Sequence, residues 1–380
     1  MNQMKETSMS PKTSTHSPAA VEVRGLAKHY GSVVALKDVN LTIAAGEYFV
    51  LLGPSGGGKT TLLRTIGGFH KPTKGSIFLH GKDVGHLPPD KRPTSMVFQS
   101  YALFPHMNVL QNVGYGLKIA GLPKSQIREK GAAALELVGL TGYAERKPHE
   151  LSGGQQQRVQ LARAMVLERD VLLLDEPLAA LDAQLRKDMC LELKHLQEKV
   201  GITFIHVTHN QEEAMTVADR IALIADGELI EHGRARDIYR APERRFTASF
   251  VGENNMLGGE VTAKSGTEVT VEIGNGEPLK VDSRGQSVSV GDKVSLSIRS
   301  ELTRMDLGNG NGTGGAEPGH SVSGTYNEAV YLGLTTSHMV SVGTGHDMIS
   351  RVVDDLDDLP QAGSSVRLYW TPGAMRLHTH

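Results

Sequence analysis

The run "GPSGGGKTT" (residues 53–61) places four glycines within six positions and follows them with a lysine and two threonines. Glycine gives up more backbone freedom on ordering than any other residue, so this density needs a compensating use. The flanks indicate one. "YFVLLG" (48–53) is a continuous apolar run of strand type, and "TTLLRTIGGF" (60–69) opens a helical pattern. Between strand and helix, a glycine loop wraps so that backbone N–H groups point inward at phosphate oxygens, and the helix start adds roughly half a positive charge. Gly53, Gly58, Lys59 and Thr60 fit the phosphate-loop spacing G-x-x-x-x-G-K-[ST]. On this reading Pro54, Ser55, Gly56, Gly57 and Thr61 complete the cradle, Lys59 reaches the outer phosphates, and the Thr60 hydroxyl ligates Mg²⁺.

Two other stretches aim at the same chemistry. "VLLLDE" (171–176) brings Asp175 and Glu176 to the carboxyl end of an apolar strand. Adjacent carboxylates there are costly unless they face a cation or water. Asp175 is therefore expected in the Mg²⁺ shell, and Glu176 is expected to orient and deprotonate an attacking water. "LSGGQQQRVQLARA" (151–164) sets Ser152, Gly153, Gly154 and Gln155 at a helix start, which offers a hydroxyl, bare amides and a dipole end for phosphate. The chain thus has two phosphate-seeking helix starts and one lysine loop. The simplest resolution is a head-to-tail homodimer in which each copy completes the other's site.

The whole chain sets bounds on the rest. Its 380 residues suit two or three domains, and 39% apolar with 22% charged residues is ordinary for a soluble globular protein. A net charge of −2 lacks the positive excess of nucleic-acid binders, so no nucleic-acid partner is expected. The single cysteine, Cys190, excludes an internal disulfide framework. No apolar run approaches the ~20 residues of a membrane span. Residues 1–18 have no apolar middle and read as a disordered tail. From 19 to about 250, strands such as "ITFIHVTH" (202–209) alternate with helices such as "ALELVGL" (134–140) and "LRKDMCLELKHLQEKVG" (185–201), the latter capped by Gly201. Asp226-Gly227 marks a hairpin within 221–233. From 251 to 380, "EVTVEIG", "KVSLSIR", "HMVSV" and "SVRLYW" alternate apolar with polar and predict a small β-barrel, with a glycine-rich mobile loop at 307–320.

With its motifs in this order, the chain over about residues 20–245 resembles the ATP-binding cassette (ABC) transporter ATPases. The resemblance implies an α/β P-loop NTPase fold with a mixed sheet, a helical subdomain near 100–165, ATP with Mg²⁺ as ligand, and ATP hydrolysis. It adds Gln99 of "VFQSY" as the Q-loop glutamine, a contact to Mg²⁺ and nucleotide. It adds Asp182 of "ALD" in a loop that crosses to the partner copy. His209 of "VTHNQEEAM" becomes the switch histidine at the γ-phosphate, catalytic beside Glu176 and Lys59, and Tyr30 of "KHYG" the ring stacked on adenine.

Departures are few. Gly57 stands where cysteine is frequent, expected to be harmless. Ala179 stands where serine is frequent, Asn210 where aspartate is usual, and Ser300 where proline is usual.

The C-terminal region is similar to the OB-like TOBE domain of bacterial importer ATPases. "FQSYALFPHMNVLQNVGYGL" and "FVGENNML" most resemble the spermidine/putrescine importer ATPases, while those for iron(III), sulfate and sugars share much of the pattern. The implied partners are two integral membrane permease subunits and a solute-binding protein, with this chain peripheral on the cytoplasmic face of the cell membrane. Phe98, Tyr101 and Phe104 are expected to form a groove for a short permease helix. The alternative from another class is a soluble regulatory ABC ATPase with the C-terminal barrel as its ligand sensor.

Overall fold

A computed structural model describes residues 19–100, 102–274, 278–306, 320–343, 346–353 and 359–379. The expected tail at 1–18, nearly all of the expected loop at 307–320, and Tyr101 lie outside them. The chain packs as two compact units. One runs to Arg220 and takes in Ile224–Leu229, and the other comprises Ile221–Leu223 and the chain from Ile230 onward.

In chain order the first unit holds β1 (Ala19–Tyr30), β2 (Val33–Ala44), β3 (Tyr48–Leu52), α1 (Lys59–Ile66), β4 (Lys74–Leu79), β5 (Lys82–Asp83), β6 (Thr94–Val97) and α2 (Val109–Ile119). It continues with α3 (Lys124–Leu137), α4 (Gly153–Met165), β7 (Val171–Asp175), α5 (Ala183–Val200), β8 (Thr203–Thr208) and α6 (Gln211–Val217), and reaches β9 (Arg220–Ala225) and β10 (Glu228–Arg234). A four-stranded sheet has the order β2-β1-β4-β5, and a six-stranded sheet the order β10-β9-β3-β8-β7-β6. β3, β8, β7 and β6 pair in parallel. Every residue of β3, β7 and β8 is buried, which is why their apolar runs do not alternate.

Register decides where the chemistry falls. Leu52 pairs with Thr208, and Asp175 with Val207, so the carboxyl ends of three central strands reach one edge together. The residues that follow those ends are Gly53, Glu176 and His209, on the edge where open α/β sheets bind ligands. α5 ends as expected at Gly201, left-handed with φ 73°, whose N–H donates to the Gln197 carbonyl at 2.8 Å. Asp226 and Gly227 have φ of 51° and 76°, the doubly left-handed turn that matches strand twist in a two-residue hairpin.

The second unit is all-β after α7 (Ala235–Arg240) and α8 (Arg245–Phe250). Its strands are β11 (Asn254–Ser265), β12 (Glu268–Glu272), β13 (Leu279–Asp282), β14 (Lys293–Arg299), β15 (Arg304–Asp306), β16 (His320–Tyr331), β17 (Thr336–Val342), β18 (His346–Val352), β19 (Ser365–Trp370) and β20 (Met375–His378). They form two five-stranded antiparallel sheets, ordered β13-β12-β11-β14-β20 and β15-β19-β16-β17-β18. The predicted barrel is thus built as two half-barrels that share one apolar core, with Val261, Leu296 and Ile298 from one and Val340, Leu368 and Trp370 from the other. Ser300, where proline is usual, uses its backbone. Its N–H donates to the Glu253 carbonyl at 3.2 Å, a bond proline has no hydrogen to make.

In the first unit, fully buried His206 on β8 meets the Tyr48 hydroxyl through Nδ1 at 3.1 Å. Burial depresses its pKa to about 3. The ring is therefore neutral, and its 3.8 Å approach to Glu213 is no ion pair. An unfolded histidine titrates near ~6.5, above the folded value, so this contribution to stability is complete above that pH and is lost as pH falls toward the folded pKa. Denaturant titrations between about pH 6 and 4 should show His206→Asn lowering the acid slope of stability by roughly 1.4 kcal/mol per pH unit.

Candidate nucleotide site

The loop after β3 is fixed by how little room it has. A Cβ on Gly53 (φ 150°) would sit 2.0 Å from the Ile224 carbonyl oxygen, and one on Gly58 (φ 106°) 2.7 Å from the Ala35 carbonyl oxygen. Neither position tolerates a side chain without moving backbone. Gly56 (φ 78°) faces open space at the exposed tip beside Ser55. Gly57 is packed closely too: a Cβ there would lie 2.9 Å from the Ile224 oxygen and 3.2 Å from that of Pro54, so this loop is built around a glycine at that position.

Lys59 begins α1 and is buried, at 4% exposure. Its Nζ donates to the carbonyls of Gly53 and Pro54, each at 2.8 Å. Burial lowers its pKa, opposed by the charges of Glu176 and Asp175. Gly58 is the N-cap of α1 and supplies no side-chain cap, so no side chain caps the helix's first N–H groups. A lysine folded over its own loop beside uncapped amides suits a phosphate chain.

One step along α1, the Thr60 hydroxyl donates to Asp175 Oδ1 at 3.0 Å. Arg64 grips the other oxygen, with Nη2 at 3.1 Å and Nε at 3.3 Å from Oδ2. Arg64 was not among the expected site residues, although its four-residue spacing from Thr60 puts both on one helix face. Thr61, also in the first turn, is half-buried. Among the described residues no three His, Cys, Asp or Glu side chains gather to hold a metal by themselves. A hydroxyl and one carboxylate nonetheless fit Mg²⁺, which takes one or two protein oxygens and completes its shell with water and phosphate.

Glu176 adopts a left-handed backbone, φ 46°, while its N–H donates to the Val207 carbonyl at 3.0 Å. Such a conformation costs roughly 1–3 kcal/mol in a non-glycine residue and recurs at functional sites. Its Oε2 accepts from Gln99 Nε2 at 3.2 Å and lies 3.5 Å from His209 Nδ1. Gln99, two residues past β6, and His209, just past β8, therefore meet on the Glu176 carboxylate. The Gln99 segment is held by α4: Gln160 Nε2 donates to the carbonyls of Phe98 (2.9 Å) and Ser100 (3.1 Å), and Arg163 to that of Ala102 (2.7 Å). These two anchors also went unpredicted.

Other expected residues stand apart from this cluster. Tyr30, 43% exposed at the end of β1, meets His70 edge-on at 5.7 Å, with Lys28 Nζ 4.7 Å from its ring centre. Ser152 caps α4: its Oγ accepts the Gln155 N–H at 3.3 Å, and Gln155 Oε1 accepts the Ser152 N–H at 3.0 Å. That reciprocal pair leaves the Gly153 and Gly154 amides at the helix start without a side-chain acceptor. Asp182 caps α5 in the same manner, accepting the Leu185 N–H at 3.0 Å.

Comparison with known proteins decides the family. Residues 36–179 match the ABC transporter family and residues 296–377 the TOBE domain. The spermidine/putrescine import ATP-binding protein PotA of Roseobacter denitrificans is 54% identical over 288 residues, 76% of this chain and 79% of that one. The chain belongs to the ABC transporter ATPases. PotA of Rubrobacter xylanophilus is 43% identical over 355 residues, 93% and 92% of the two chains. Among solved structures, the dimeric post-hydrolysis ATP-binding cassette MJ0796 bound to ADP and Pi is 33% identical, with a TM-score of 0.51, covering 57% of this chain and 99% of that one. CbiO1 of Clostridium perfringens, part of the ABC transporter complex cbiONQ, is 30% identical with a TM-score of 0.56, covering 59% and 92%. As an ABC ATPase this chain binds nucleotide and hydrolyses ATP, and its second unit carries the TOBE domain.

Because of the approach at Ile224, Gly53→Ala should weaken ATP binding by about ten- to hundredfold, the equivalent of 1–3 kcal/mol of backbone strain, with helix content unchanged. Titration with a fluorescent ATP analogue, alongside far-ultraviolet circular dichroism, checks both parts.

Proposed function

We propose that this chain is the ATP-hydrolysing subunit of a polyamine importer, with spermidine and putrescine as the solutes. The observation that carries the motor is the meeting of Gln99, Glu176 and His209 at the sheet edge where the Lys59 loop opens. The solute rests on relatives named for spermidine/putrescine import at 54% and 43% identity.

In this reading Lys59 exchanges the Gly53 and Pro54 carbonyls for phosphate oxygens, and the loop amides from Gly56 to Thr61 bind the rest of the chain. Thr60 and Asp175, with Gln99 beside them, would hold Mg²⁺, which supplies charge neutralisation on the phosphates. Glu176 orients the attacking water and takes its proton, and His209 contacts the terminal phosphate from the neighbouring strand. Tyr30 offers its exposed ring to adenine.

The site is completed by a second copy. Ser152 is exposed, and the Gly153 and Gly154 amides beside it are free of capping side chains and suited to a phosphate held by the partner's loop. Asp182, at the start of α5, lies in the segment proposed to cross between copies. The dimeric form of a 33% identical cassette supports this arrangement. Near-complete switching between closed and open dimers needs about 5.5 kcal/mol of differential binding, for which phosphate contacts across the interface are the source.

Among the described residues no helix is long and apolar enough to cross a membrane, so transport is assigned to two separate permease subunits fed by a solute-binding protein. This chain then sits peripherally at the cytoplasmic face. Phe98 packs edge-on against half-exposed Phe69 at 5.5 Å, and Phe104 against Tyr115 at 4.7 Å. These aromatic pairs beside Gln99 form the surface proposed to receive a permease helix.

Glu176→Gln should bind ATP normally, accumulate as a dimer on size-exclusion chromatography, and lose more than about 100-fold in turnover, the scale of a missing general base. Brisk hydrolysis by that variant would remove Glu176 from the role. Lys59→Ala should lose ATP binding in the same titration. Reconstitution with permease and binding subunits should show turnover rising with spermidine or putrescine; stimulation by iron(III), sulfate or a sugar instead would reassign the solute.

A further inference from the structure

Directly behind Glu176 lies a cavity of about 30 Å³, lined by Glu176, Ala179, Arg186, Thr208, His209 and Glu213. That volume suits a single water, provided two to four polar groups reach it. The wall supplies them. Arg186 is anchored by its Nη2, which donates to the Leu181 carbonyl at 2.8 Å, while its buried Nε has no hydrogen-bond partner. Glu213 lies opposite, with Oε1 at 3.6 Å from that Nε, too far for a direct bond. An unpartnered buried donor facing a carboxylate just beyond bonding distance is where a bridging water is expected.

Glu213 needs that bridge. It is 5% exposed, and its Oε2 is held by the Thr208 hydroxyl at 2.6 Å. On its buried side the neighbours are uncharged, since burial depresses His206 to about 3, pushes the Cys190 thiol up to about 12 and raises the Tyr48 phenol, while Glu176 and His209 face it across the cavity. Burial also raises the pKa of Glu213, opposed by the Thr208 hydrogen bond and the Arg186 charge. Arg186 is thus the buried-side cation, while Glu176 and half-exposed His209 close the cavity on the side of the nucleotide edge. Ala179 presents only a methyl to this space and adds no polar group to it.

We propose that one ordered water in this cavity accepts the Arg186 Nε–H bond and donates to Glu213 and Glu176, so that Glu213 is a positioning residue for the hydrolytic carboxylate. The inference rests on Glu176 being the base proposed above. Through the water, the buried carboxylate and guanidinium fix the direction in which Glu176 presents its free oxygen. Glu213 itself touches neither nucleotide nor attacking water.

The test separates charge and direction from packing. Glu213→Gln keeps the side-chain volume and an amide oxygen for Thr208, but removes the charge and turns one acceptor toward Arg186 into a donor. In the full-length protein its kcat should fall roughly tenfold with KM for ATP and melting temperature little changed, the scale seen when a residue orienting an active group is lost. A purely structural Glu213 would be rescued by the isosteric amide, so wild-type kcat in Glu213→Gln overturns the proposal. A crystal structure of the unmutated protein gives an independent reading: a water within hydrogen-bond distance of Arg186 Nε and Glu213 is expected, and its absence from well-defined density overturns the proposal even if the variant does not fold. Should Lys59→Ala and Glu176→Gln behave as stated while Glu213→Gln turns over normally, the motor reading stands and only the Glu213 role falls.

Discussion

A buried ammonium held by two carbonyls of its own loop governs this site. Lys59 sits at 4% exposure with Gly53 and Pro54 oxygens as its close partners, an arrangement that occupies two of its three donors and only partly compensates its charge. A phosphate chain would improve on those dipoles, which is the source of affinity in the function proposed above. The remainder of the edge is arranged around the same deficit. Asp175 is spoken for by Thr60 and Arg64, and Glu176 is turned off its strand by a left-handed backbone. The negative groups near the lysine are thereby kept at working distance instead of collapsing onto it.

The helix starts show a second economy. Ser152 and Asp182 are both N-caps, each satisfying an amide in the turn it precedes. Local stability accounts for these residues within one chain, a cap being worth roughly 0.5–2 kcal/mol. In α4 the cap does more, because it stands before a helix whose first two residues are glycines, with Gly153 half-buried and Gly154 buried.

Much of this was legible beforehand, for identifiable reasons. "VLLLD" and "YFVLL" read as central strands because both faces are buried, leaving no polar alternation. Asp226-Gly227 and Gly201 read correctly because left-handed backbone has a strong residue preference. The shared edge of Glu176 and His209 was legible from the strands they follow, whereas Gln99 came from the family resemblance alone. What stayed hidden depends on partners far along the chain. Arg64 meets Asp175 across 111 positions, and Gln160 reaches back 62 to Phe98. The close packing at Gly57 stayed hidden because it is set by the backbone of Ile224, which no local pattern reveals. In the second unit, alternation announced each strand's buried face but not which of two sheets it would join.

The clamp that α4 places on the Gln99 segment has a mechanical consequence. Gln160 and Arg163 tie three successive carbonyl sites, at Phe98, Ser100 and Ala102, to a rod whose far tip is the Ser152 cap. Hydrogen bonds of this length resist stretching by more than a few tenths of an ångström. A rotation of the rod would therefore carry Gln99 along the Glu176 carboxylate it contacts at 3.2 Å, without passing through the phosphate loop. On the function proposed above, α4 would act as a crank geared to the carboxylate assigned to the attacking water.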